Sequence, residues 1–560
     1  MNGTEYFLRF LQAQGVRYLF GNPGHTELTV LDRLIETSGM DYILALHEGS
    51  AMAMADGYAL ASGKLGVFCG HIMPGLGNAL GMLFDAAKHS SPLLVTAGQQ
   101  DQSFSLTEPF LGGDLVQLAR PLVKWAYEVR SASELERALQ RAVKIATTPP
   151  GGPVFLSLPK DVMVAQTELA GEITAATIMH APRANLDAIR DACGALLQAQ
   201  HPVIIAGDEV GKSEAETAVH AVASFLGSPV YSETASITFN FSIDSPLYQG
   251  TLARRQRDVR SMLEGADVVF AVGAEIFTMA AAAHTEPLPE NVRLIQLNID
   301  AWQLGKNYKA SVALWGDPKA TLETLLEQLR SMANADQERI ASERIGILAQ
   351  RKGAQLAELD AEISKVSNQR PIAGAVAMQR IVEHAPNDAV IVDESATTGL
   401  ALRHLLSRHP LKYFGLKGGG LGWGLPASIG VHLALPERPV LCIVGDGAAM
   451  FSVQSLWTAA HLRARVVFII CNNAQYRLIK HRVHLYGGGA SARAKRYIGV
   501  DLDRPPIAFP ELARSMGVWA ERVEAAAQIG DALREALRRE GPALLDVVVE
   551  GSHPERDEAM

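Results

Sequence analysis

One stretch of the chain combines residue type and spacing in a way that points to chemistry on a phosphorylated ligand. The apolar run VLCIV is followed by Gly445-Asp446-Gly447, a helical segment through Ala460, a second apolar run RVVFIIC, and the pair Asn472-Asn473. With both runs as parallel strands, a carboxylate and a carboxamide stand at neighbouring strand ends, the edge where open α/β sheets bind ligands. Oxygen donors there suit Mg²⁺, a hard cation that bridges protein oxygens to phosphates. Gly445 and Gly447 would let the backbone approach a diphosphate closely. A Gly-Asp-Gly alone reads equally well as a structural turn; the whole unit is far more specific.

Four further places carry candidate groups. The run YILAL leads into His47-Glu48-Gly49-Ser50-Ala51 and a helix of small and apolar residues, where the Glu48 carboxylate either caps the helix or serves a ligand, and in both cases needs a hydrogen-bond partner. His25, in Gly21-Asn22-Pro23-Gly24-His25-Thr26-Glu27, and His71, in Cys69-Gly70-His71-Ile72-Met73-Pro74-Gly75, both follow apolar runs. Histidine titrates near neutral pH, so either could move protons; each could also be a loop or packing residue. The Gly-rich segment 417–426 presents one large aliphatic side chain, Leu421, where the backbone could lie close to a planar ring. Glu394-Ser395-Ala396-Thr397 follows an apolar strand, and its hydroxyls suit a phosphate contact or a helix N-cap.

Amphipathic helices alternating with short apolar strands must position these groups. A helix over 4–14 stops at Gly15 before a strand over 16–20, with further strands over 42–46, 65–69, 93–97 and 154–158. A second set covers 202–206, 229–231, 268–272 and 294–299 and ends in a helix near 318–332. A third has strands over 389–392, 440–444, 466–471 and 544–549. The expectation is an α/β protein of three doubly wound parallel-sheet domains: 1–165, 183–335 and 371–552, with a solvated linker helix in 336–370. The first and third could be distant structural copies.

The unit around Asp446 and Asn473 resembles the diphosphate-binding motif of thiamine-diphosphate enzymes. Most of the chain resembles the decarboxylase and acetolactate-synthase superfamily, closest to benzoylformate-decarboxylase-like proteins, in runs such as SPLLVTAGQQ, RPLVKWAYE and LWTAAH. The resemblance implies pyrimidine-binding, middle and diphosphate-binding domains, in that order. It implies thiamine diphosphate and Mg²⁺ as cofactors, the metal held by Asp446, Asn473 and the main-chain carbonyl of Gln475. Thr397, Gly445, Gly447, Ala448 and Tyr476 would line the diphosphate, and Leu421 would prop the cofactor in a bent shape. Glu48 would bond the aminopyrimidine and activate the cofactor, while His71 and His25 would shuttle protons. The implied reaction is non-oxidative decarboxylation of a 2-keto acid through a C2 carbanion and an enamine. The alternative is a carboligase or lyase of acetolactate-synthase or 2-hydroxyacyl-CoA-lyase type. It also implies a homodimer or homotetramer with sites at subunit interfaces.

The chain departs from the family decarboxylase at His25, where that enzyme has serine, and near Ala280, where its second catalytic histidine falls; His284 is out of register. By the same resemblance, the aromatic residue that lines the family decarboxylase's pocket is replaced around His481 and Arg482. The segment 482–506, with Gly487-Gly488-Gly489 and the bases Arg482, Arg493, Lys495 and Arg496, reads as a cationic lid suited to a dicarboxylate or a phosphate-bearing acyl group, or as a solvated basic loop. The middle domain lacks the basic residues of relatives that bind flavin, so flavin is not expected.

Composition narrows the remaining classes. With 560 residues, 48% hydrophobic, 20% charged and a net charge of -9, the chain can bury several cores and offers no electrostatic footprint for nucleic acid. Cys69, Cys193, Cys442 and Cys471 are scattered in mostly apolar runs and read as buried thiols. Neither a signal-peptide pattern nor a membrane-spanning run is evident, so a cytoplasmic enzyme acting on small molecules is expected.

Overall fold

A computed structural model describes residues 1–166, 182–280, 284–485 and 489–551. The first sheet contains β1 (Tyr18–Gly21), β2 (Asp41–Leu44), β3 (Gly66–Gly70), β4 (Leu93–Gln99), β5 (Ala126–Glu128) and β6 (Val154–Pro159) in the order β2-β1-β3-β4-β6-β5, all parallel. β3 and β6 are buried along their whole length, as apolar runs covered on both faces must be. On one face, the helices Gly3–Ala13 and Ala132–Thr147 close a core that includes Phe7, Phe10, Leu135 and Leu139. Asn2 starts the first of these helices by accepting the Glu5 N–H at 2.9 Å.

The middle sheet contains β7 (Pro202–Ala206), β8 (Val230–Ser232), β9 (Tyr248–Thr251), β10 (Val268–Val272), β11 (Arg293–Asn298) and β12 (Val312–Trp315), ordered β12-β11-β10-β7-β8-β9. Read from its other edge, this is the dinucleotide-fold order. The 29-residue helix Gln337–Lys365 buries only Gln337, Ala341, Leu348 and Ile363. Two of its cations tie it to the middle domain. Arg344 donates to the carbonyls of Leu226 and Ala199, at the carboxyl ends of two helices, and Lys352 donates to those of Ile243 and Ser245.

The third sheet contains β13 (Val390–Glu394), β14 (Lys412–Gly415), β15 (Val440–Gly445), β16 (Val466–Asn472), β17 (Trp519–Val523) and β18 (Ala543–Val548), ordered β14-β13-β15-β16-β18-β17. Strand for strand this repeats the first sheet. The three expected parallel-sheet domains are therefore present. The strands the sequence did not reveal are β5, β9, β12, β14 and β17, and every one of them is an edge strand.

Of the described residues, 1–166, 366–402, 416–485 and 489–551 form one compact unit, and 182–280 and 284–365 with 403–415 another. Within the first unit, the helix Glu48–Ser62 lies against Gly424–Ala434 backbone to backbone. A Cβ on Gly57 would overlap the Ala427 main chain, and one on Gly430 the Met54 main chain. All four cysteines are free and buried. No described helix is long and apolar enough to cross a membrane.

Candidate active site

At the carboxyl end of the first sheet, three sequence-expected groups are set by helix starts. Glu48 opens the helix Glu48–Ser62, after His47, whose Nδ1 accepts the Gly49 N–H at 3.0 Å. The Glu48 carboxylate is half-buried, and its Oε2 accepts from the Asn78 carboxamide at 3.0 Å. Asn78 is the partner that the sequence required but did not identify.

His71 caps the helix Ile72–His89, and the exposed His25 ring stands edge-on to it with centroids 5.0 Å apart. His71 Nδ1 lies 2.9 Å from Glu27 Oε2 and 3.0 Å from Thr26 Oγ1. Glu27 is buried and also accepts the Thr26 hydroxyl at 2.6 Å and the N–H groups of Gly24 and Gly98 at 3.1 and 3.2 Å. A carboxylate so placed keeps the proton on His71 Nδ1 and leaves Nε2 as the nitrogen that can exchange one. Gly24 must be glycine here, because a Cβ would overlap the His71 ring. Ile72, β-branched yet at φ 47, is held in the left-handed region directly beside His71. Such strain is sustained only where surrounding structure over-determines the backbone.

The third sheet offers a different set. Asp446 begins a short helix after β15; its Oδ1 accepts the Gly447 N–H at 2.8 Å and its Oδ2 the Asn473 N–H at 3.1 Å. Burial pushes its carboxyl above the usual range, and the backbone N–H groups around it oppose that shift. Asn473 Oδ1 accepts the Gln475 N–H at 3.1 Å across Ala474, itself at φ 54. The Gln475 carbonyl accepts from Arg477 N–H at 3.0 Å, which leaves its second lone pair. A Cβ on Gly447 would overlap the Tyr476 ring, whereas among the described residues nothing lies within 4 Å of one on Gly445. Ala448 follows in the same helical turn. Thr397 holds an N-cap position but makes no capping bond, while Ser395 Oγ is spent on Asp393. A carboxylate, a carboxamide oxygen and a carbonyl beside the open backbone of Gly445 match what Mg²⁺ and a diphosphate require, so the residues present fit that group.

Between these sets runs the Gly-rich loop 417–423, with Leu421 39% exposed. Glu394, at the end of β13, accepts the N–H groups of Gly422 and Gly424 at 2.7 and 2.6 Å, and complete burial pushes its carboxyl up to about 7. Gly422, at φ 97, could not readily carry a side chain. The buried Trp423 donates to Asp56 Oδ2 at 2.7 Å. Asp56 in turn accepts from Ser91 and from His89 Nδ1, and His89 Nε2 accepts the Lys417 N–H at 3.2 Å. Asp56, His89 and Glu394 were not recognised from sequence as loop supports.

Past Tyr476, a cavity of about 510 Å³ is lined by Lys480, His484, Lys495, Arg496, Tyr497, Ile498 and Asp501. Of the segment 482–506, residues 482–485 end the helix Arg477–Leu485 and Gly489–Ala494 forms a second helix; Gly487 and Gly488 lie outside the described residues.

Three parallel sheets with an acid–histidine edge and a Gly-Asp-Gly edge define an α/β enzyme built to hold a diphosphate cofactor. Comparison with known proteins gives the family. Residues 1–117 match the thiamine pyrophosphate enzyme N-terminal TPP binding domain, 189–325 the central domain and 395–547 the C-terminal TPP binding domain. The chain is 33% identical to benzoylformate decarboxylase of Pseudomonas aeruginosa, with 97% of this chain and 98% of that protein covered. It is 29% identical to a probable acetolactate synthase large subunit of Methanococcus aeolicus, over 99% and 92%. A solved thiamine diphosphate-dependent 4-hydroxybenzoylformate decarboxylase of Rhodococcus jostii RHA1 superposes with a TM-score of 0.86 at 30% identity, covering 99% and 100%. The chain belongs to the thiamine pyrophosphate enzymes.

Proposed function

We propose that the protein is a thiamine-diphosphate- and Mg²⁺-dependent non-oxidative decarboxylase of a 2-keto acid. We further propose that it works as a homodimer or homotetramer whose sites lie at subunit interfaces, and that its domains span 1–165, 183–335 and 371–552. The observation that carries this reading is His71 pinned through Nδ1 to the buried Glu27, with His25 beside it. Decarboxylation to an aldehyde must end by protonating carbon, and this pair is built to hold and deliver a proton.

In this reading Asp446, Asn473 and the Gln475 carbonyl hold Mg²⁺. Thr397, Gly445, Gly447, Ala448 and Tyr476 line the diphosphate, Leu421 props the cofactor, and Glu48 holds its aminopyrimidine. When bound, thiamine diphosphate supplies the electron sink that lets the bond to the departing carboxylate break. Glu48 carries the proton exchanged with the aminopyrimidine. His71 Nε2 and His25 give a proton to the carbon left after CO₂ departs.

The cationic cavity favours a second reading, a carboligase or lyase that takes a further anionic substrate. Among the described residues, Lys495 and Arg496 have no carboxylate partner, and Lys480 is already paired with Asp501.

The experiment is CO₂ release from a panel of 2-keto acids by apo-protein reconstituted with thiamine diphosphate and Mg²⁺, alongside Glu48→Ala. Release that needs both cofactors and Glu48, with one aldehyde formed per CO₂, supports the decarboxylase. A protein that binds the cofactors and releases no CO₂ from any acid, or releases it with a hydroxyketone in place of the aldehyde, refutes it in favour of the second reading.

A further inference from the structure

The loop bearing Leu421 is gripped from the other domain of its unit. Asp85 lies fully buried in the helix Ile72–His89, and its Oδ1 accepts the Gly420 N–H at 3.0 Å. Its carboxyl fills the space left by two missing side chains, since a Cβ on Gly418 or on Gly420 would overlap a carboxyl oxygen. Gly419, between them, sits at φ 87 and needs glycine for its conformation; Gly418 and Gly420 do not, so their lack of a side chain answers to Asp85. The second oxygen, Oδ2, is buried without a hydrogen-bond partner among the described residues. An aliphatic side chain would fill the same volume without burying an unsatisfied oxygen. What the carboxyl adds is an acceptor for Gly420. Burial pushes Asp85 up to about 7, so a substantial fraction of it is the neutral acid near neutral pH.

We propose that Asp85 is a positioning residue for the cofactor. Its carboxyl, seated between Gly418 and Gly420 and bonded to the Gly420 N–H, fixes the turn that presents Leu421, and so sets how tightly thiamine diphosphate is held. The inference rests on the reading of this loop as part of the cofactor site.

The test is calorimetric titration of apo-protein with thiamine diphosphate at saturating Mg²⁺. It compares wild type with Asp85→Ala, Asp85→Asn, Gly420→Ala and the Asp85→Ala/Gly420→Ala double variant, with the melting temperature of each apo-protein measured in parallel. Asp85→Ala weakens binding about tenfold, the effect of losing roughly one hydrogen bond and its packing. Asp85→Asn, which keeps the acceptor and the shape, returns affinity to within about threefold of wild type. Gly420→Ala is severe alone and milder in the Asp85→Ala background, because the vacated space receives the new methyl; that non-additivity marks direct contact. Equal affinity for wild type and Asp85→Ala, or full additivity of the two changes, overturns the inference while leaving the cofactor reading intact. A wild type that takes up no thiamine diphosphate overturns both. If Asp85→Ala does not fold, Asp85→Asn and Gly420→Ala still decide: Gly420→Ala with wild-type affinity sinks the proposal.

Discussion

The first and third sheets share one strand order, β2-β1-β3-β4-β6-β5 and β14-β13-β15-β16-β18-β17, yet their carboxyl ends are chemically unlike. The first ends in groups that titrate and are already paired: Glu48 with Asn78, and His71 with Glu27. The third ends in Asp446 and Asn473, the proposed metal ligands, beside Gly445, whose Cβ position has no described atom within 4 Å. In the proposed reading one scaffold supplies two half-sites, and the loop residues alone decide whether an edge moves protons or holds phosphate. Changes at the first edge should therefore damage turnover, and changes at the third should damage cofactor uptake.

The sharpest separation comes from Glu48→Gln. It should lower kcat by about 10²–10⁴, the range for a positioned acid or base, while thiamine diphosphate still binds, as calorimetry would register. An Asp446→Ala protein should do the opposite. Its Mg²⁺-supported cofactor affinity should drop by on the order of 100-fold or more, and activity should partly return at high cofactor concentration, because a hard-cation site has lost its one carboxylate. Equal loss of affinity in both variants would break the comparison.

A smaller effect is expected at Glu27. Glu27→Gln leaves the His71 ring packed but removes the carboxylate that fixes its tautomer, so kcat should fall by about tenfold with little change in cofactor affinity. Glu27→Asp, which keeps a carboxylate, should recover part of that loss. A wild-type kcat in Glu27→Gln would remove Glu27 from the proton path.

The smallest effect concerns stability. Burial pushes the Asp85 carboxyl up to about 7; the Gly420 N–H and His89 oppose the rise and Asp56 adds to it. An unfolded aspartate titrates near 3.9, so the folded state binds this proton more tightly and loses stability as pH rises from about 4 to 7. Asp85→Asn lacks that loss. Its melting temperature should gain on wild type by on the order of 2 °C between pH 5 and 8, a trend that scanning calorimetry can follow. A constant difference across that range would count against the buried-acid account.

Legibility from sequence followed burial. Strands such as β3, β6 and β15 are covered on both faces and are written as continuous apolar runs, whereas the edge strands β5, β9, β12, β14 and β17 are short and mix in residues such as Glu128, Gln249 and Lys412. Site groups that sit at strand ends next to their own motif, such as Asp446 and Asn473, could be placed by local pattern. Their supports could not. Glu27 meets His71 across 44 residues and Gly420 meets Asp85 across 335, contacts that no local spacing encodes. The glycines at 24, 418 and 420 were the available signal, since each leaves room for a side chain arriving from elsewhere.

Product stoichiometry tests the central claim most directly. The reconstituted protein is given the 2-keto acid it turns over fastest, and CO₂, aldehyde and hydroxyketone are counted against acid consumed. One CO₂ and one aldehyde per acid, with the aldehyde taking its new hydrogen from solvent, is the result predicted for an edge built around His71 and Glu27. Half an equivalent of hydroxyketone with no free aldehyde would contradict it and assign the chain to carbon–carbon bond formation.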